Sequence, residues 1–272
     1  IKAFQTAHGL TPDGLCGPMT FRRIITEREA NRAESYKELK GSYIICEGEP
    51  LSIEWDKVVN IWDPQNLALS KGYREYKVSK RDVRMIVTHF DVCLSAASCK
   101  RVLEKKGISS HFVIDNDGTI YQMVDPQHEA WHAGKRLVNK RSIGIDLSNA
   151  IYVKYQKWYR SRGYPRRPVL KNIPIHGTKI KECLGFYPVQ LQAYKVLVKK
   201  LCSYYGIPIA MPMNKDGTVL RQVHLPTKKG RFKGIVNHFH ISRGKWDTAN
   251  LDWDMLLKDL NRYSVEQHVD DD

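Results

Sequence analysis

His89 closes the apolar run RMIVTH, and His238 closes a near-copy of it, GIVNH. Each run reads as a buried strand, so each imidazole arrives at a strand's C-terminal end. Two such ends lying side by side in one sheet aim their rings at a common point. Asp247 comes nine residues after His238, beyond a turn at Gly244, and can add a carboxylate there. Two neutral imidazoles and one anion form a donor set for zinc in hydrolases, where a further position stays open to water. Ten histidines make any single one weak evidence, whereas the paired words IVTH and IVNH say more. His240, in HFH, offers a competing imidazole. Only one of the two is expected to join the set, and the IVNH word favours His238.

The elements that must position these side chains are legible as periodic segments. RMIVTHF (84–90) predicts a buried central strand, and SAASCKRVLEKKG (95–107) a helix capped by Ser95 and stopped at Gly107. SHFVIDNDGTIYQMV (110–124) predicts a hairpin turning at Asn116, Asp117 and Gly118. RSIGIDLSN (141–149) reads as another strand, and GIVNHFHIS (234–242) as the last one. Between them, Leu191, Tyr194, Leu197, Val198 and Leu201 share one helical face over 188–205, which Gly206 ends. Strands separated by helices predict an α/β domain over 43–265, with a central mixed sheet flanked by helices. Residues 1–27 form two short helical patterns around a DG and a GP turn, too little chain to bury a core alone. The charged stretch 28–42 reads as a solvated linking helix, and 266–272 as an acidic tail.

Composition narrows the partners. With 44 Lys and Arg against 29 Asp and Glu, the net charge is +15. Such a surface collects near nucleic acid, anionic lipid or the acidic polymers of a bacterial wall. Nine of those cations, with no acid, fall in 152–181, interleaved with Tyr155, Trp158, Tyr159 and Tyr164. Such a stretch can stack on single-stranded nucleic acid, grip sugars and carboxylates, or be a solvated insertion. None of the common nucleic-acid motifs accompanies it, so no nucleic-acid partner is expected. No apolar run approaches the ~18 residues of a membrane span. The six cysteines form no CxxC pair, which argues against a four-thiolate metal site. The chain opens on Ile1, so a preceding segment is expected.

The words IVTH, SSHFVIDNDGTIYQMVD, AWHAG, SIGIDL and NHFHISRGKWD, in that order over about 80–257, resemble the zinc N-acetylmuramoyl-L-alanine amidases. That family also takes in phage lysozyme-type amidases and the animal peptidoglycan recognition proteins. The resemblance implies Zn2+ held by His89, His238 and Asp247, the last position being Asp or Cys in the family. It places Lys245 beside the metal, where an ammonium stabilises charge growing on an amide oxygen. Asp146 stands where some members carry a catalytic Glu, able to move a proton from water to the leaving nitrogen. Asp is a methylene shorter, and the Tyr that other members use before the YHF-like His is here Ser110. His132 matches a pocket histidine that contacts substrate; Asn139 can help hold the muropeptide, or is a turn residue. His111 starts a hairpin strand and reads as structural. Cys93 and Cys99 match in spacing a disulfide of the recognition-protein branch, which a reducing cytoplasm would not preserve.

FQ, HGL, DG and GPMT in 1–27 resemble the second half of a small three-helix peptidoglycan-binding domain. Together these resemblances imply a modular phage endolysin, monomeric, whose partner is bacterial peptidoglycan. It would be made in the host cytoplasm and act on the wall, cutting between N-acetylmuramic acid and L-alanine by a zinc-activated water. The competing expectation is a recognition module that binds without cutting. Non-catalytic members typically lack the third ligand, so Asp247 and Lys245 argue for the enzyme.

Overall fold

The computed structural model describes residues 1–24, 26–27, 41–76 and 81–266. The chain divides into two compact units, Ile1–Gly41 and Ser42–Asp272. Most of the stretch expected as a linking helix (28–40), and the acidic tail beyond 266, fall outside the described residues.

In the first unit a helix spans Lys2–Ala7, and residues 18–24 are helical again. Gln5 is their common hub. Its amide nitrogen donates to Asp13 Oδ1 (2.7 Å) and the Leu15 carbonyl (2.9 Å), and lies 3.0 Å from Thr20 Oγ1. Its amide oxygen accepts from the Gly14 N–H at 2.9 Å. A buried polar side chain must be satisfied, and here the bonds tie the FQ, DG and GPMT words together.

The second unit is built on a six-stranded sheet. In chain order its strands are β1 (Val58–Val59), β2 (Met85–Phe90), β3 (Phe112–Ile114), β4 (Ile120–Gln122), β5 (Ser142–Leu147) and β6 (Gly234–Asn237). Their spatial order is β6-β2-β5-β3-β4-β1. All neighbours run parallel except the β3–β4 hairpin, which makes the sheet mixed. Every residue of β2, β5 and β6 is buried, as expected of parallel strands covered on both faces.

Helix α1 (Ala96–Lys106) begins at Ser95, whose hydroxyl accepts from the Ser98 N–H, and ends at Gly107 in the left-handed conformation. Helix α2 (Arg136–Lys140) is short. Helix α3 (Pro188–Tyr205) ends at Gly206, also left-handed, and α4 spans Trp253–Glu266. The pleat of β5 sends Ile143, Ile145 and Leu147 into the main core, where they join Tyr194, Leu197, Val198 and Leu201 of α3. Each of those fully buried aliphatic side chains contributes roughly 1.5–3 kcal/mol. The alternate residues, Ser142, Gly144 and Asp146, occupy the opposite face.

One expectation changes. The last strand stops at Asn237, and His238–His240 form a 3₁₀ turn instead of continuing it. The cause is local: the Asn237 side chain accepts from the His240 N–H, while His240 Nδ1 accepts from the Asn237 N–H at 3.0 Å. The basic stretch 152–181 is folded, with a helix at Gln156–Ser161 and a hairpin of Val169–Ile175 against Thr178–Leu184. One of its cations, Arg167, is buried between the Tyr159 and Tyr187 rings at 4.4 and 4.1 Å and holds the Gly185 carbonyl.

Candidate metal centre and its cleft

His89 lies near the C-terminal end of β2, directly paired in register with Asp146 of β5. His238 follows the last residue of β6, the strand on the other side of β2. Three side chains from neighbouring strand ends therefore meet over one edge of the sheet, the usual place for a site in parallel sheets. Asp247 arrives on a loop pinned from below. Thr248 Oγ1 donates to Asn237 Oδ1 (2.7 Å), and Trp253 Nε1 donates to the Thr248 carbonyl (3.0 Å).

The three expected ligands converge. His89 Nδ1 is 3.1 Å from His238 Nδ1 and 3.0 Å from Asp247 Oδ2, and His238 Nδ1 is 3.1 Å from the same oxygen. All three side chains are buried. Hydrogen bonding alone cannot satisfy this triangle. If both imidazoles donated to the carboxylate, two N–H groups would face each other at 3.1 Å. A cation among the three atoms removes the conflict, and tetrahedral ligands at 2.0–2.1 Å stand about 3.3 Å apart, near the spacing seen. The group can hold a metal ion.

The electrostatics suit a ligand set. Burial raises the Asp247 carboxyl, but the two imidazoles 3.0 and 3.1 Å from its oxygen outweigh it and hold it well below the usual carboxylate range. Burial lowers the His238 pKa, which favours the neutral imidazole that a metal requires. His240 is the imidazole that stays out. Its Nε2 lies 2.7 Å from the Leu220 carbonyl, and burial pushes it down to about 3.

A cavity of about 330 Å3 opens over the triad, lined by His89, His132, Asp146, His238, Lys245 and Asp247 among others. Burial raises the Asp146 carboxyl above its ordinary value, partly offset by His89 and by Ser110. Ser110, whose hydroxyl lies 3.4 Å from the Phe112 carbonyl, is near enough to act on that carboxyl. Lys245 is exposed at the rim, close enough for its charge to be felt at His238. Its carbonyl lies 2.9 Å from His176 Nε2.

His132 reaches the cavity as expected, yet both its ring nitrogens face protein: Nδ1 is 3.0 Å from His89 Nε2, and Nε2 is 3.1 Å from Ser142 Oγ. Asn139 does not line the cavity. Its amide oxygen accepts the Ala133 N–H at 2.8 Å and so steadies the loop that carries His132. His111 is buried, with Nδ1 accepting the Gly144 N–H (2.9 Å) and Nε2 3.0 Å from the His128 carbonyl. All six cysteines are free thiols. Asp91, Cys93 and Cys99 form a second group of possible donors. Both Asp91 oxygens are already engaged, with the Cys93 and Asn149 N–H groups and the Ser148 hydroxyl, so that carboxylate organises its loop. Sequence reasoning missed Ser142 and Gly144, whose signal was their two-residue spacing from Asp146 on one strand face.

A mixed sheet presenting two histidines and a carboxylate at its strand ends, with a carboxyl and an ammonium beside them, carries a candidate metal centre. The family model for N-acetylmuramoyl-L-alanine amidase matches residues 79–250, well over half of the chain, and the chain belongs to that family. Solved structures similar to it include the amidase AmiD of E. coli, in complex with anhydro-N-acetylmuramic acid-L-Ala-D-gamma-Glu-L-Lys (26% identity, 50% of this chain and 49% of that one, TM-score 0.34). Others are the endolysin amidase LysCS of Clostridium intestinale (15%, 73% and 96%, 0.43) and AmpDh3 of Pseudomonas aeruginosa with an anhydromuramic pentapeptide (20%, 73% and 71%, 0.43). The chain thus spans about half the length of the AmiD chain and nearly all of the LysCS chain. No curated protein sequence matches it. No described helix is long and apolar enough to cross a membrane.

Proposed function

We propose that the cleft hydrolyses the amide joining N-acetylmuramic acid to the L-alanine of the stem peptide in bacterial peptidoglycan, with Zn2+ held by His89, His238 and Asp247. The convergence of three metal-ligating atoms within 3.1 Å of one another carries this reading. Zinc held there would supply a Lewis acid able to polarise a carbonyl and acidify water. Asp146, across from His89, accepts the proton of the attacking water and delivers it to the leaving nitrogen. Its raised pKa supports both halves of that task, because an acid must hold the proton it later gives. Lys245, at the rim, places an ammonium near the oxygen on which charge grows. Support from the buried triad and from the family favours an enzyme over a module that only binds.

The first unit is proposed as the wall tether of a modular phage endolysin acting as a monomer, a reading supported by the Gln5 cluster that joins its motif residues. Metal analysis tests the centre. Purified protein should carry one zinc, lose its lytic activity to a chelator and regain it with added zinc. Asp247→Ala should abolish both stoichiometric metal and activity; a variant keeping both sinks the assigned site.

A further inference from the structure

The donor directions around His132 can be read outward from one fixed point. Val138 lends a carbonyl oxygen, which only accepts, and Ser142 Oγ lies 2.7 Å from it. The single Ser142 hydroxyl proton is therefore committed to Val138, and Ser142 Oγ faces His132 Nε2 at 3.1 Å as an acceptor. His132 must then carry its proton on Nε2, which leaves Nδ1 as a lone pair. His89 Nε2 is 3.0 Å from that lone pair, so His89 donates there. An imidazole with its proton on Nε2 has its lone pair on Nδ1, the atom that faces His238 and Asp247. Four groups in series thus set which nitrogen of His89 is presented to a metal.

The seat of the ring is built as deliberately. A Cβ on Gly144 would lie 2.7 Å from His132 Cγ and 2.9 Å from its Cδ2, far inside contact distance. Gly144 also sits between Ser142 and Asp146 on the same face of β5. That face therefore has three tasks at two-residue spacing: Ser142 anchors the His132 proton, Gly144 makes room for its ring, and Asp146 faces the cleft.

We infer that Ser142 and His132 are positioning residues that hold His89 in its metal-binding tautomer and orientation, with Gly144 as the seat that permits it. This inference rests on the metal-centre reading above. It assigns His132 a role through His89, in addition to its place in the cavity wall. Hydrogen-bonding partners of ligating histidines typically account for about 10–100-fold in metal affinity.

The test compares wild type with Ser142→Ala, Ser142→Thr and His132→Leu. Zinc affinity is read by competition with a chelating dye. The His132 tautomer is read from imidazole 15N resonances, with and without zinc. Ser142→Ala and His132→Leu should weaken zinc binding by about ten- to a hundredfold. Ser142→Thr, which keeps the hydroxyl, should restore it to near wild type. Wild-type His132 should carry its proton on Nε2, and Ser142→Ala should lose that preference. Unchanged zinc affinity in both disabling variants overturns the inference, as does a wild-type His132 protonated on Nδ1. Should Ser142→Ala not fold, His132→Leu, at a partly exposed position, decides alone. A wild type that binds no zinc sinks the function proposal instead, and the tautomer of the metal-free protein still judges the relay.

Discussion

Asp146 is one methylene shorter than the Glu that the resemblance puts at this position. Strand β5 brings the carboxylate opposite His89, and burial raises its pKa. Removing its charge while keeping its shape isolates the chemistry. Asp146→Asn should lower kcat by roughly 10²–10⁴-fold, the usual contribution of general acid–base catalysis, while zinc stoichiometry stays at wild type. Steady-state kinetics beside metal analysis would check this, and a variant retaining full turnover assigns the proton transfer elsewhere.

At the scale of elements, the loop between β4 and β5 is held by a buried cation. Arg81 donates to the carbonyls of Pro126 (2.8 Å), Asn139 (2.8 Å) and Ser142 (2.7 Å), bracketing the segment that carries His132. His111 lies against the same guanidinium, and burial together with Arg81 holds its pKa well below the ordinary value. The sign follows from linkage. Below about 6.5 the unfolded chain protonates this imidazole and the folded one does not, so stability present above that pH is lost as pH falls. The melting temperature should decline between about pH 7 and 5. His111→Gln, which keeps one donor and one acceptor, should make that decline shallower. It should not abolish it, since His132, His238 and His240 are depressed by burial too. An unaltered slope in thermal melts across that range would remove His111 from this account.

For the whole molecule, the second unit holds all of the buried apolar clusters found among the described residues. It should stand without the first unit. A chain of residues 42–272 is expected to cleave a soluble muropeptide within about twofold of the full chain. Its binding to purified sacculi should fall about tenfold or more, because a tether raises the local concentration of substrate. Co-sedimentation measures this. Equal sedimentation of the two would mean that the basic surface, not the first unit, carries the attraction to the wall.

The candidate ligands and the strands that deliver them were legible because both signals are local. A buried parallel strand is a short apolar run, and a polar residue closing it must sit at the strand's end. The capped helix at Ala96–Lys106 and the long helix at Pro188–Tyr205 were legible for the same reason: Ser95, Gly107 and Gly206 act within a turn of where they stand. The IVNH word favoured His238 over His240, but the reason needed tertiary structure: the reciprocal bonds between Asn237 and His240 end the strand and turn the second imidazole towards Leu220. So did the roles of Asn139, Ser110 and His132, each defined by a partner distant in sequence. A histidine's residue type states what it can bind. Which of its nitrogens faces the metal depends on the hydrogen bond made by the other, and only the folded chain brings that partner to it.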